Sequence, residues 1–281
     1  MAIRENKLRL LMIVDDPDIA LFASTHGVDR IMVDLETLGK QERQGHLDTV
    51  QSALQIEDVT RIRQGAPDAH LLVRINPLHE GSKDEVDAVV ARGADAVMLP
   101  MFHNRDTLAR FFDILADRVE ALPLFETIGA VAQLPEMIGD LPLTGLHFGL
   151  NDLHLERGDA MMFEPLAQKV LDGPAKALRS ADIPFGIGGI ARSTEGVIPP
   201  EILLGEHVRL GSSGAILSRS FHRRARSLDE LKAGMDFVAE IARLRKIYNG
   251  FLEMDTTAIA ENTSRFRRAV EKVSTIRSVP T

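Results

Sequence analysis

Short apolar runs alternate with amphipathic segments along most of this 281-residue chain. Segments such as Asp84–Arg92, Asp106–Asp117 and Phe163–Ala181 carry their apolar residues at helical spacing. Strand-like runs that alternate with helical segments indicate βαβ units and a parallel sheet. The eight predicted strands are Leu8–Val14, Arg30–Leu35, His70–Ile75, Ala94–Met101, Leu122–Phe125, Gly145–Leu150, Ile183–Ile187 and Val208–Leu210.

The number of these runs favours a (β/α)8 TIM barrel as the fold. Most runs are continuously apolar, which indicates a sheet covered on both faces, and 281 residues suit one barrel of about 250 residues. A doubly wound open sheet is the alternative. It would usually carry a glycine-rich fingerprint after the first strand, where this chain has Asp15-Asp16-Pro17-Asp18.

Two more helical segments follow the eighth run, namely Leu228–Tyr248 and roughly Thr256–Ile276. The second is amphipathic, with Phe266, Val270 and Val273 on one stripe. We therefore expect a barrel domain over residues 1–225 and a helical extension over residues 226–281. The extension is expected to cover a barrel end or to contact another subunit.

Composition narrows the classes of partner. A formal net charge of -8 and a pI near 5.6 disfavour binding to nucleic acid or to an anionic membrane. Without cysteine, disulfides, thiolate nucleophiles and thiolate metal ligands are excluded. No apolar run approaches the ~20 residues of a membrane helix, and the charged start of the chain does not resemble a signal peptide. We expect a soluble cytoplasmic protein.

Charged residues stand at the C-terminal ends of several predicted strands, where barrels carry their reactive groups. Glu126 and Asp152 each close an apolar run, and Arg74 interrupts another close to its last position. A buried charge at such a place is costly unless it has a partner. The same predicted rim also carries Asp34, Glu36, Asn76 and His103.

The spacing leaves three roles open for Glu126 and Asp152: a proton-transfer pair, a structural set of ion pairs, or oxygen ligands of a hard divalent cation. Mg²⁺ characteristically takes one or two carboxylates and fills its other positions with water and substrate. No HExxH or paired-histidine spacing is present, which argues against zinc. Arg74 either acts on a substrate oxygen or carboxylate, or forms a buried salt bridge to Asp34 or Glu36, and these roles are compatible.

Two glycine-rich segments, Gly186–Gly189 and Gly211–Gly214, are predicted to follow the seventh and eighth strands. Loops at these places bind phosphate in many barrels through backbone N–H groups, which makes Gly188 a candidate substrate contact. The other interpretation is a pair of tight turns, because glycine motifs this short carry little information.

Taken in order along the chain, five motifs resemble the HpcH/HpaI aldolase and citrate lyase β-subunit family of the phosphoenolpyruvate/pyruvate barrel superfamily. The likeness runs from about Leu10 to Ser220. The motifs that carry it are Val33-Asp34-Leu35-Glu36, Val73-Arg74-Ile75-Asn76-Pro77, the stretch from Gly93 to Pro100, Phe125-Glu126-Thr127 and Gly149-Leu150-Asn151-Asp152-Leu153.

The resemblance implies a metal-dependent (class II) aldolase or carbon–carbon lyase. Glu126 and Asp152 would bind Mg²⁺ or Mn²⁺, and a 2-oxo acid such as pyruvate would chelate that metal. Arg74 would stabilise the enolate, while backbone N–H groups of Leu150, Asn151 and Asp152 would hold the substrate carboxylate. The second substrate would be an aldehyde or an acyl partner, and the family suggests a homo-oligomer, either a trimer or a hexamer.

The chain also departs from the family's pattern. The aldolases carry a catalytic histidine directly after the acid that matches Glu36, and this chain has Thr37 there. The acid that pairs with that histidine aligns roughly with Ala91 or Arg92. The general base therefore stays open among Glu36, His103 and a metal-bound water.

Three rival functions remain at this point. One is a CoA-ester lyase of the citryl-CoA or malyl-CoA type, although the basic residues Arg105, Arg110 and Arg192 are scattered rather than grouped into a CoA groove. Another is an enzyme that acts on a phosphorylated substrate. The third is a degenerate member that binds a ligand without turnover.

Overall fold

The computed structural model describes residues 8–40, 54–193, 195–218, 221–222 and 225–277. The strands are β1 (Arg9–Ile13), β2 (Arg30–Asp34), β3 (Leu71–Arg74), β4 (Ala96–Met98), β5 (Glu120–Ala121), β6 (Leu124–Phe125), β7 (Leu146–Phe148), β8 (Phe185–Ile190) and β9 (Gly214–Leu217). The helices that alternate with them are α1 (Pro17–Thr25), α2 (Ile56–Gly65), α3 (Ser82–Ala91), α4 (Arg105–Leu115), α5 (Ile128–Met137), α6 (Leu150–Arg157), α7 (Glu164–Ala167), α8 (Asp172–Ser180) and α9 (Pro200–Leu210). The last three helices are α10 (Leu228–Gly234), α11 (Phe237–Leu252) and α12 (Thr256–Arg277).

All strand pairs are parallel, and the order β5-β4-β3-β2-β1-β9-β8-β7-β6 follows the chain around a ring. β5 and β6 are two halves of one strand, which is interrupted at Pro123 because proline has no N–H to donate. Leu122 N–H donates to Val97 O at 2.9 Å, and His147 N–H donates to Pro123 O at 3.0 Å. The interrupted strand is therefore hydrogen-bonded to β4 on one side and to β7 on the other, which closes the ring. The predicted (β/α)8 barrel is confirmed.

The core has two layers, as a barrel requires. A large layer lies between the strands and the helices and includes Val33, Val73, Val97, Phe125 and Phe148. A smaller cluster, formed by the side chains that alternate with these along the strands, fills the barrel interior. Its buried members are Leu11, Met32, Leu72, Ala96, Met98, Leu122 and Leu124.

The prediction of the eighth strand was wrong. Val208–Leu210 belongs to α9, which ends at Gly211 in the left-handed conformation with φ 81°. Val208–Leu210 forms the last turn of this amphipathic helix, whose buried face includes Leu203, Leu204 and Leu210. The eighth strand position is occupied by β9, which begins six residues after the start of the predicted run.

This shift also corrects the two glycine segments. Gly186–Gly189 lies within β8 rather than in a loop after it, and Gly211–Gly214 leads into β9 at the N-terminal end of the barrel. Neither segment forms the phosphate-binding loop after the seventh or eighth strand that was one of its two interpretations. Gly188 itself is buried, and a Cβ there would lie 3.4 Å from Phe148 O.

The last two helices, α11 and α12, pack on α9 of the same chain, and α10 packs on α1. On α12, the predicted stripe is buried at Phe266 and Val270, and Asn262 Nδ2 donates to Ile202 O at 3.0 Å. The segment predicted as one helix over Leu228–Tyr248 divides into α10 and α11, because Asp236 caps α11 by accepting from Ala239 N–H at 3.0 Å. In the part of the chain that the structure describes, no helix is both long and apolar enough to cross a membrane.

Two histidines are buried near the N-terminal half of the barrel. Burial lowers the pKa of His147 to about 3, with the charges of His207 and Arg30 adding to the effect, and burial lowers that of His207 to about 4. Both ordinary values are 6.5, so both side chains are neutral when folded and take up protons on unfolding below that pH. Their contribution to stability is complete above pH 6.5 and is lost as the pH falls towards the folded-state pKa.

We therefore expect His147→Gln and His207→Gln to flatten the acid side of the stability profile. Between about pH 7 and about pH 5, each wild-type histidine accounts for a loss of about 2 kcal/mol in the free energy of unfolding. Urea unfolding at several pH values measures this, with the exposed His26→Gln as control. Profiles of equal steepness in the wild type and both variants would contradict the assignment.

Candidate metal and enolate site

Six charged residues lie at the C-terminal ends of neighbouring strands and are called the charged rim below. Asp34 is the last residue of β2, Arg74 is the last of β3, and Glu126 directly follows β6. The members of the charged rim are Asp34, Glu36, Lys40, Arg74, Glu126 and Asp152. The carboxylates are between 0% and 8% exposed, so their charges are held away from bulk water.

Asp34 and Arg74 form a two-pronged salt bridge between adjacent strands. Arg74 Nε donates to Asp34 Oδ1 at 2.9 Å, and Nη2 donates to Oδ2 at 2.7 Å. Burial alone would raise the pKa of Asp34, but Arg74 and Lys40 outweigh it and hold that pKa well below its usual range. The salt bridge that the sequence offered as one role of Arg74 is therefore present.

Lys40 was missed by the sequence interpretation. Its Nζ donates to Asp34 Oδ2 at 2.9 Å and lies 3.4 Å from Glu36 Oε2, although the residue is only 4% exposed. The one sequence signal was its place four residues after Glu36, a spacing that marks ion pairs only on helices. Here the two residues lie in the loop that follows β2, where such spacing carries no information.

Glu126 is held by backbone. Its Oε1 accepts from Met101 N–H at 3.1 Å, and a Cβ on Gly149 would lie 2.6 Å from Oε2. Burial raises the pKa of Glu126 well above its usual range, and the charges of Asp152 and Glu36 raise it further while Arg74 lowers it. A carboxylate in this state gains strongly from a nearby positive charge.

Asp152 lies in the first turn of α6, with Leu150 and Asn151 before it and Gly149 as N-cap. The first N–H groups of a helix have no partner within the helix and favour negative charge. The N–H groups of Leu150–Asp152 belong to this first turn, and the Glu126 carboxylate packs against Gly149, which directly precedes it. This is the arrangement expected of a carboxylate-binding turn.

His103 does not join the charged rim. Its side chain is 58% exposed, and Nδ1 lies 3.8 Å from Glu156 Oε1. Its backbone lies close to α5, since a Cβ on Gly129 would be 2.4 Å from His103 O. His103 lies close to Pro100 in the sequence, but this proximity does not determine the direction of the imidazole ring.

Beside Thr37 lies the side-chain amide of Asn76, whereas the family's pattern has a histidine–acid pair. Thr37 N–H and Leu38 N–H both donate to Asn76 Oδ1 at 2.9 Å, and Asn76 Nδ2 donates to Glu85 Oε1 at 2.8 Å. Ala91 and Arg92, with which the acid of that pair roughly aligns, are the last residue and the C-cap of α3. Asn76 therefore fixes the loop that carries Thr37.

The donor set suits a hard divalent cation. The charged rim has four carboxylates and two cations, so it carries two more negative than positive charges among the residues that the structure describes. Glu126 and Asp152 supply the carboxylate oxygens that Mg²⁺ or Mn²⁺ prefers. Within the described ranges no group of three or more histidine and acidic side chains is arranged to hold a metal ion.

Solved structures share this fold. An HpcH/HpaI aldolase/citrate lyase family protein from Burkholderia cenocepacia J2315 is 13% identical, with a TM-score of 0.62 over 83% of this chain and 96% of that chain. A citrate lyase beta subunit from M. tuberculosis, complexed with oxaloacetate and magnesium, is 16% identical, with a TM-score of 0.61 over 87% and 98%. An HpcH/HpaI aldolase from Desulfitobacterium hafniense DCB-2 is 16% identical, with a TM-score of 0.58 over 76% and 86%.

At these identities the likeness establishes the fold, and it agrees with the family that the motifs resemble. No family model matches the chain, and no curated protein matches it. The roles of individual residues therefore depend on the geometry of this chain's own charged rim.

Gly149→Ala tests the packing of Glu126. Gly149 has φ -92°, which alanine adopts without strain, so the effect comes from the 2.6 Å approach of the new Cβ to Glu126 Oε2. We expect the carboxylate to be displaced and Mn²⁺ affinity, measured by calorimetry, to fall at least about ten-fold. Gly173→Ala is the control, since a Cβ there meets nothing within 4 Å. An unchanged Mn²⁺ affinity in Gly149→Ala would show that Glu126 is not a metal ligand.

Proposed function

We propose that this chain is a divalent-metal-dependent carbon–carbon lyase or aldolase that acts on a 2-oxo acid through a pyruvate-type enolate. The observation that carries the proposal is the charged rim, where Glu126 and Asp152 lie buried beside Arg74 with an excess of negative charge. The family motifs and the shared fold of aldolase and lyase structures support the same class. Mg²⁺ or Mn²⁺ is the proposed cofactor, held by Glu126 and Asp152.

Each residue has a role that follows from its position. When bound, the metal supplies a Lewis acid that stabilises negative charge on the keto oxygen of the substrate. Arg74 uses Nε and Nη2 for Asp34, so Nη1 is the proposed donor to the developing enolate oxygen. The N–H groups of Leu150–Asp152 orient the substrate carboxylate.

Decarboxylation of oxaloacetate isolates this core of the reaction. The bond between C3 and the leaving carboxylate breaks, CO₂ departs, and the electron pair forms the enolate of pyruvate, so no side-chain base is required. This matters because the position of the family's histidine is Thr37, and the exposed His103 lies outside the charged rim. For aldol chemistry, Glu36 remains the candidate base within the rim.

A CoA-ester lyase is the second candidate, favoured by the shared fold of a citrate lyase beta subunit. Two of the scattered arginines are engaged within the protein: Arg105 bonds to Asp140, and Arg192 Nη1 donates to Gly234 O at 3.0 Å. Thermal stabilisation by CoA, without stabilisation by pyruvate, would support this candidate. We also propose a cytoplasmic homo-oligomer, a trimer or a hexamer, with residues 226–281 as the extension that contributes to its contacts.

Glu126→Gln and Asp152→Asn should abolish metal-dependent oxaloacetate decarboxylation while the protein stays folded, because each removes one of two proposed metal ligands. The rate is followed with and without Mg²⁺ or Mn²⁺, and circular dichroism monitors the fold. Glu57→Gln and Asp106→Asn are matched controls, with side chains 75% and 92% exposed. A Glu126→Gln variant that keeps its full metal response would show that the site is wrongly assigned.

Arg74→Lys should lower turnover at least about 100-fold, because an ammonium cannot hold Asp34 at two points and also donate to the enolate. The same assay measures kcat and KM, and Arg110→Lys serves as the control. Turnover within a few-fold of the wild type would mean that the enolate is stabilised elsewhere.

A further inference from the structure

Lys40 closes a ring of four ion pairs in the charged rim. Asp34 Oδ2 is 2.7 Å from Arg74 Nη2 and 2.9 Å from Lys40 Nζ. Glu36 Oε2 is 3.4 Å from each of the same two nitrogens. Two carboxylate oxygens and two cationic nitrogens thus alternate around the ring, and none of the four side chains is more than 12% exposed.

This ring divides the four carboxylates of the charged rim into two pairs. Asp34 and Glu36 share Lys40 and Arg74, whereas of the proposed ligands Glu126 directly follows β6 and Asp152 lies in α6. Glu36 is nevertheless close enough to Glu126 for their charges to interact. A hard cation binds any carboxylate oxygen within reach, so something must keep Glu36 from becoming a further ligand.

We propose that Lys40 is a positioning residue that holds Glu36 on Arg74 and away from the divalent cation. The ion then keeps the open positions that a chelating 2-oxo acid needs, and the proposal rests on the proposed metal site. Arg74 alone cannot do this, because its two nitrogens nearest the ring are engaged by Asp34 at 2.9 Å and 2.7 Å, while its distance to Glu36 is 3.4 Å.

A purely structural role for Lys40 gives a different result. Replacing one member of a buried ion-pair network changes stability, and the lost positive charge favours cation binding, but neither effect removes a water from the bound ion. Under the proposal, Lys40→Met removes a positive charge near the ion and releases Glu36 towards it. Metal affinity should then rise while turnover falls, a combination that a loss of stability does not produce.

The experiment uses Mn²⁺ as the probe. Its binding is measured by the electron paramagnetic resonance signal of the free ion, and its bound waters are counted by water-proton relaxation. We expect Lys40→Met to bind Mn²⁺ at least about ten-fold more tightly and to lose one or more bound waters. Lys83→Met is the matched control, since its ion pair with Asp87 is exposed, and it should behave as the wild type.

Glu36→Gln keeps the test decisive if Lys40→Met does not fold. It should leave the number of Mn²⁺-bound waters unchanged, because Glu36 is not a ligand in the wild type, and a gain of one water would overturn the proposal. In the double variant with Lys40→Met, the lost water should return.

If the wild type binds no Mn²⁺, the proposed function itself fails, whereas equal affinity and hydration in wild type and Lys40→Met overturn only the role of Lys40.

Discussion

The burial of four carboxylates at one barrel rim is the constraint on which the rest of the site depends. Asp34 is fully buried at the end of β2, and an ionised carboxylate there is tolerated because Arg74 binds both of its oxygens and Lys40 donates to one of them. That fork fixes the guanidinium between two strands. The direction in which Arg74 can act on a substrate is therefore set by the strand register of Asp34 and Arg74.

The same constraint explains why the two halves of the rim differ. Asp34 and Glu36 are neutralised by Arg74 and Lys40, which keeps the pKa of Asp34 low. At Glu126 burial and neighbouring negative charge raise the pKa, although Arg74 partly opposes them. A fold that keeps this second half buried gains from any ligand that brings positive charge, and this is the physical basis for the metal proposal.

The sequence predicted the barrel and the positions of Arg74, Glu126 and Asp152, because apolar runs locate strands and a charge at a strand end stands out. It failed at Val208–Leu210, since three residues cannot distinguish the last turn of a helix from a strand. It did not predict that Lys40 enters the charged rim or that the His103 side chain is exposed. Both depend on how a loop folds back over the rim, which has no periodic signature.

Asn76 shows how this rim differs from the pattern that the motifs resemble. It accepts from the N–H groups of Thr37 and Leu38 and is itself held by Glu85, so the loop after β2 is fixed by an amide. That loop carries Glu36 and Lys40 into the charged rim. An arrangement that secures these two residues without a histidine would suit the decarboxylation proposed above. That reaction needs no base, because the electron pair of the broken C–C bond stays on the carbon that becomes part of the enolate.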